Sequence, residues 1–265
     1  MNEPLLRCNN FIVVVKKKQF VLSGGGCRGF AHLGAVKALQ ESGIYSSEIS
    51  GTSSGAIAGA FLANGFSPDE VKEIFLEKLK FNILTRSGFN FGLISMKNIR
   101  VFLQKNLRYK KFEDLPIPFY ATATSFLDGS QHIFSSGNLI DAIIASSSIP
   151  VVFPPVVIQG VPYVDGGLSN NLPIEPFIKS KKDIVCIHVN PIRSFKRGES
   201  VFNVMDRAIH LSFREKVSQS SDGCFLFIEP QELEGYGLFD IQKISEIVDI
   251  GYGFTKKLLL SLTAL

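Results

Sequence analysis

The sequence contains no tryptophan and only four cysteines, Cys8, Cys27, Cys186 and Cys224. They stand far apart with no Cys-x-x-Cys pair, so neither a zinc knuckle nor a disulfide framework is expected. The chain therefore reads as reduced and cytoplasmic, with no cofactor and no metal. Charge of one sign is also scarce. A net charge of +4 over 265 residues is too mild for a nucleic-acid partner, although it suits an anionic membrane surface weakly. No apolar run reaches the roughly 18 residues that a membrane-spanning helix needs. The run Phe11–Val15 ends at Lys16, Lys17 and Lys18, too soon for the core of a signal peptide. Export by a signal-less route stays open. Repeats and low-complexity tracts are missing, and no Pro/Gly/Ser linker divides the chain, so one domain over 1–265 is expected.

What is abundant is phenylalanine, 23 residues, most of which a chain of this size buries. Phe75–Leu93 interleaves Phe81, Phe89 and Phe91 with Lys78, Lys80, Arg86 and Gly88. It reads either as a flap that touches lipid or as a packed surface excursion. The apolar tail from Leu258 reads as the end of a docked helix.

Apolar spacing gives the order of elements. Gln19–Ser23 is a short apolar run that ends at Gly24, Gly25 and Gly26, which predicts a strand entering a loop. Phe30, Leu33, Val36 and Leu39 recur at helical spacing before a stop at Gly43. Glu48–Ser50 predicts a strand, and the small residues of Ala56–Leu62 predict a helix. This rhythm belongs to a parallel sheet, and the fold class expected is α/β, three layers around a central, mostly parallel sheet. Ser67-Pro68-Asp69-Glu70 carries a helix-start pattern. Phe119–Ser125 and Gln131–Phe134 predict paired strands, Leu139–Ser146 a helix, and Asp183–Val189 and Phe225–Ile228 buried strands. Val201–Ser221 and Ile241–Leu262 predict late helices.

Three short motifs could carry chemistry. Gly24-Gly25-Gly26-Cys27-Arg28-Gly29 matches G-x-G-x-x-G. A dinucleotide site would want an acid closing the second strand, and Glu48 opens its strand instead. Two other readings are a tight strand-to-helix turn and an anion cradle of main-chain N–H groups at a helix start. In an acyl-transfer enzyme such a cradle is an oxyanion hole. Arg28 could hold a phosphate or brace the loop. Gly51-Thr52-Ser53-Ser54-Gly55 matches G-x-S-x-G, in which a serine on a sharp strand-to-helix turn is exposed as a nucleophile. Ser53 is the candidate, and Ser54 would lend its N–H. Asp165-Gly166-Gly167 follows the short strand candidate Pro162-Tyr163-Val164 and could be a plain turn or a bend that aims a carboxylate. The serine needs a base. His188 or His210, following Asp165, would preserve the chain order of a Ser-Asp-His triad. His32 and His132 fit packing positions better.

In order and spacing, Ser-Gly-Gly-Gly-Cys-Arg-Gly at 23–29, Gly-Thr-Ser-Ser-Gly at 51–55 and Asp-Gly-Gly at 165–167 resemble patatin-like phospholipases. Ala145-Ser146-Ser147-Ser148-Ile149-Pro150 and Phe153-Pro154-Pro155-Val156 look like that family's third block. The resemblance covers about 19–190, with the late helices expected to complete the domain. It implies a Ser–Asp dyad without a catalytic histidine: Ser53 as nucleophile, Asp165 as base, and an oxyanion hole chiefly from Gly25 and Gly26. Gly24, Arg28, Gly29, Gly51, Gly55, Gly166 and Gly167 would be the motif and anion-binding positions. It implies hydrolysis of phospholipid or related acyl esters at a peripheral membrane contact. Acyl transfer to a lipid alcohol or thiol, and a non-catalytic lipid-binding module, are the competing functions.

Overall fold

The computed structural model describes residues 5–8, 11–80, 96–192 and 201–263. Most of the proposed flap, 81–93, lies outside the described residues. A two-stranded antiparallel ribbon of β1 (Leu5–Cys8) and β2 (Phe11–Val14) leads in. The first βαβ unit is β3 (Lys16–Leu22), α1 (Ala31–Glu41) and β4 (Ile44–Thr52). The helices α2 (Ser54–Ala63), α3 (Pro68–Lys80) and α4 (Met96–Asn106) follow. Next come β5 (Phe119–Ser125), β6 (Gln131–Phe134), α5 (Leu139–Ser146), β7 (Val156–Ile158) and β8 (Val161–Asp165). The chain closes with β9 (Ile184–Ile187), α6 (Val201–Ser221), β10 (Leu226–Ile228) and α7 (Ile244–Thr263).

The main sheet runs β10-β9-β3-β4-β5-β8-β7, with β6 pairing β5. It is parallel from β10 to β5 and antiparallel where β8, β7 and β6 join. The expected parallel sheet is thus the half that carries the glycine loop and the serine turn. Helices cover both faces, and strand alternation explains why. Phe20 and Leu22 of β3, with Val185 and Ile187 of β9, pack on the side of α1, α2 and α7. Val21, Ile184 and Cys186 point the other way, into Phe177 and into Phe213 and Val217 of α6.

Local chemistry sets the helix ends. Ser67 and Glu70 form a reciprocal capping box at the start of α3, Ser67 N donating to Glu70 Oε2 (2.7 Å) and Glu70 N to Ser67 Oγ (3.2 Å). Asn138 caps α5 by accepting from Asp141 N at 3.0 Å. The late helix α7 docks on α1 at backbone distance. A Cβ on Gly34 would meet the Val248 carbonyl, and one on Gly251 would meet the Ala31 carbonyl. Leu258 and Leu259 pack on the core, while Leu260 and Leu262 are exposed. No helix among the described residues is long and apolar enough to cross a membrane.

Candidate active site

Register brings the serine and the aspartate to one level. Thr52 of β4 pairs with Thr122 of β5, so Ser53 stands one step further on, level with Ala123. Ala123 pairs in turn with Asp165 at the end of β8. Ser53 Oγ donates to Asp165 Oδ2 at 2.7 Å, and both residues are buried to within 7% of full enclosure.

The serine turn is strained. Ser53 has φ 54° and ψ −120°, a conformation that costs a non-glycine residue free energy and that the surroundings must hold. A Cβ on Gly55 would run into the Leu22 carbonyl, and one on Gly51 into the Gly55 carbonyl. The two motif glycines therefore let α2 start directly against the sheet. Ser53 N donates to Ser146 Oγ at 2.8 Å, and Ser146 Oγ donates to Thr122 O. Two steps along, Asp165 N donates to Ser148 O at 2.9 Å. The end of α5 thus clamps both residues. In the sequence Ser146 and Ser148 stand only as part of a motif block. Their roles were not legible because a hydroxyl holding a remote amide leaves no periodic trace in a sequence.

The carboxylate is aimed by its own turn: Asp165 Oδ1 accepts from Gly167 N at 2.7 Å. Thr124 Oγ1 donates to the Asp165 carbonyl at 2.9 Å. Burial raises the Asp165 pKa from 3.8 to about 6, against the hydrogen bonds from Ser53 and Gly167, which lower it.

The glycine loop lies beside Ser53. A Cβ on Gly24 would sit 3.2 Å from Ser53 Cβ and 2.6 Å from Asn171 Oδ1. Gly26 has φ +57°, which explains glycine there. Three bonds, from the segments that follow β9 and the Asp165 turn, fix the loop. Gly24 N donates to Asn171 O (3.3 Å), Val189 N to Ser23 Oγ (3.0 Å) and Asn190 Nδ2 to Gly24 O (2.6 Å). Among the described residues, the amides of Gly25 and Gly26 have no protein acceptor. Arg28 is buried and braces the loop, its Nε donating to Gly25 O at 3.3 Å and its Nη2 lying 3.2 Å from His210 Nε2. Gly29 packs against Ser54 Oγ, and Gly166 against the Thr122 carbonyl. Glu48 lies within β4 and accepts from Gln19 Nε2 at 2.8 Å, away from the loop.

The histidines are engaged elsewhere. His32 is fully buried with Nε2 2.8 Å from Ser23 O, and burial drives its pKa down to about 4. His188 Nδ1 lies 2.8 Å from Glu229 Oε1, and Arg214 binds the same carboxylate. Burial alone would raise Glu229, but the bonds from His188 and Arg214 outweigh it and hold its pKa at about 2. His132 packs against Phe134 and Tyr163. Among the described residues Ser53 makes no hydrogen bond to a histidine.

An apolar cavity opens from the serine. Its walls include Phe30, Leu33, Ile57, Phe75, Phe102 and Leu238, and Ser53, Ser54 and Gly26 line it as well. The cavity holds space of about 170 Å³. Cys27 also faces it, its thiol pushed up to about 12 by burial and by the nearby Asp240. Arranged this way, a hydroxyl, a carboxylate with raised affinity for protons, open amides and an apolar cleft can accommodate attack on an acyl ester with a long apolar tail.

Residues 20–178 match the model of the patatin-like phospholipase family. The chain is 27% identical over 276 residues to lysophospholipase nte1 of Aspergillus fumigatus, an alignment covering 90% of this chain and 18% of that protein. It is 28% identical over 271 residues to lysophospholipase NTE1 of Kluyveromyces lactis, covering 88% and 18%. It thus spans less than a fifth of the length of these curated relatives. Among solved structures, VipD from Legionella pneumophila aligns with a TM-score of 0.61 at 15% identity, over 97% of this chain and 70% of that one. That likeness speaks to the fold.

Proposed function

The chain belongs to the patatin-like phospholipase family, and on that premise we propose that it is a serine acyl hydrolase acting on the fatty-acyl esters of phospholipids or lysophospholipids. The observation that carries the proposal is the 2.7 Å hydrogen bond to Asp165 from Ser53, which lines an apolar cavity. The relatives' name, lysophospholipase, supports the substrate class.

In this mechanism Asp165 accepts the Ser53 proton as Oγ attacks the acyl carbonyl. The carbonyl oxygen becomes an oxyanion and takes up hydrogen bonds from the Gly25 and Gly26 amides. Collapse expels the alcohol, which leaves with the proton held by Asp165. Water then attacks the acyl-serine, Asp165 accepts its proton, and collapse frees the fatty acid and restores Ser53. A carboxylate of ordinary pKa is a weak base at neutral pH; the rise to about 6 brings Asp165 nearer to the operating range. Preorganised amides in a water-poor site supply the larger stabilisation. Gly24, Gly29, Gly51, Gly55, Gly166 and Gly167 shape the backbone of the site, and Arg28 holds the loop. The late helices belong to the same domain.

Contact with a lipid surface belongs to the same proposal. Val151 is 85% exposed with φ +71°. It lies between Ile149 and Phe153, which both line the cavity. A β-branched residue held in that conformation is a backbone outlier, and in this proposal its exposed side chain beside the cavity meets the lipid surface.

The test is release of fatty acid from lysophosphatidylcholine and from phospholipid vesicles by the wild-type chain and by Ser53→Ala. Release that the substitution abolishes is the expected result; release that survives it would reject the proposal. An added lipid alcohol in the same assay distinguishes transfer from hydrolysis by the appearance of a new ester.

A further inference from the structure

Away from the Ser53 site, two cysteines 38 positions apart come together. Cys186 lies in the middle of β9, fully buried, facing α6. Cys224 lies in the turn between α6 and β10 and is half-buried. Their sulfurs are 3.6 Å apart, Cys186 Sγ–H donating to Cys224 Sγ, while Cys224 Sγ–H donates to Ser220 O at 3.4 Å.

We propose that Cys186 and Cys224 form a thiol–disulfide site, with Cys224 as the attacking thiol and Cys186 as the resolving one, open to low-molecular-weight disulfides.

The two sulfurs have unequal surroundings. The hydrogen bond from Cys186 lowers the Cys224 pKa, and the Lys181 charge helps against burial and Asp222. Lys181 is fixed over this turn, its Nζ donating to Gln219 O at 3.2 Å and to Asp222 O at 3.1 Å. Cys186 is shifted the other way by that hydrogen bond and by burial. A more acidic, accessible thiol beside an enclosed one is the arrangement that exchange chemistry uses. The sulfurs must close from 3.6 Å to about 2.05 Å. The Cys224 side can move: Gly223, with φ +73° and open space around it, precedes it directly.

The chemistry balances with a small disulfide as the oxidant. Cys224 thiolate attacks one sulfur of the disulfide, forming a mixed disulfide and releasing one thiolate. Cys186 then loses its proton and attacks Cys224 Sγ, expelling the second thiol. Two protein thiols are oxidised, and the small disulfide is reduced to two thiols. The new bond would tie the α6–β10 turn to β9. The chain runs on from the end of β9 to Val189 and Asn190, which hold Ser23 and Gly24.

The test uses the full chain carrying Cys8→Ala, reduced and then exposed to glutathione disulfide, alkylated and peptide-mapped by mass spectrometry. A Cys186–Cys224 cross-linked peptide that reverts with dithiothreitol is expected, with Cys27 unmodified until the chain is unfolded. In Cys186→Ala, glutathione should remain on Cys224. The proposal is overturned if glutathione persists on Cys224 in the chain that retains Cys186, if neither cysteine reacts, or if Cys27 reacts as fast. None of these readouts depends on lipid hydrolysis, so the outcome is independent of the proposed function.

Discussion

Ser53 Oγ and Asp165 Oδ2 are 2.7 Å apart across 112 positions of sequence. Three constraints converge on that distance: the strained turn after β4, the pairing of β8 with β5, and the α5 terminus that holds Ser53 N through Ser146 and Asp165 N through Ser148.

Burying Asp165 has a cost in stability, which the hydrogen bonds from Ser53 and Gly167 only partly offset. Asp165 binds its proton more tightly in the folded chain, with a pKa of about 6, than at its ordinary 3.8. Between these values the native state holds more protons than the unfolded state, so this group's contribution falls as pH rises. The penalty is absent below pH 3.8 and complete above pH 6, amounting to about 3 kcal/mol at about 1.4 kcal/mol per unit. Asp165→Asn should therefore be more stable than wild type to urea at pH 7.5. The advantage should shrink as pH falls from 6 to 4. Equal stability at both pH values would place the cost elsewhere.

Activity should follow the opposite limb. Only ionised Asp165 can accept the Ser53 proton, so kcat/KM for a soluble ester should rise with pH through an apparent pKa near 6. His188→Ala and His210→Ala should leave this limb in place. A pH–rate profile that loses it in either variant would restore a histidine base.

Ser146→Ala removes the acceptor for Ser53 N. An unsatisfied buried donor costs about 1–3 kcal/mol, and the strained turn would lose a restraint. We expect a chain that folds with a lower Tm and a kcat reduced by about tenfold or more, with KM little changed. Unaltered kcat would mean that the turn is held without this clamp.

Val151→Asp addresses lipid contact. The residue is 85% exposed, so the substitution should leave the fold and soluble-ester turnover intact. Hydrolysis of vesicle phospholipid should drop several-fold, together with co-sedimentation on anionic vesicles. A parallel loss on soluble esters would indicate damage to the cavity instead.

Much of the architecture was legible in the residues because burial on both sheet faces writes itself into strands such as β3 and β9, and because α1 and α7 keep helical apolar spacing. The extent of β4 is not legible in the apolar pattern: Tyr45, Ser46 and Ser47 interrupt the run, yet Tyr45 and Ser46 pair in parallel with Lys17 and Lys18 of β3, and Ser47 falls at a register shift. The helical spacing that begins at Phe30 does not show that Gly26–Phe30 is a 3-10 turn and that α1 starts at Ala31. The lead-in ribbon, α4 and β7 had no strong signal. At the site, Ser53 and Asp165 were nameable only through motifs, since no periodicity links strands β4 and β8. The clamps Ser146, Asn171 and Asn190 were invisible for the same reason, as was the meeting of Cys186 with Cys224, which strand order alone produces.

The most direct measurement is labelling with a fluorophosphonate followed by peptide mapping. The account requires a single adduct on Ser53, present in wild type and in each single histidine variant, and lost or strongly slowed in Asp165→Asn. An adduct on another serine, or labelling of Ser53 that is indifferent to Asp165→Asn but lost with one histidine, would contradict it.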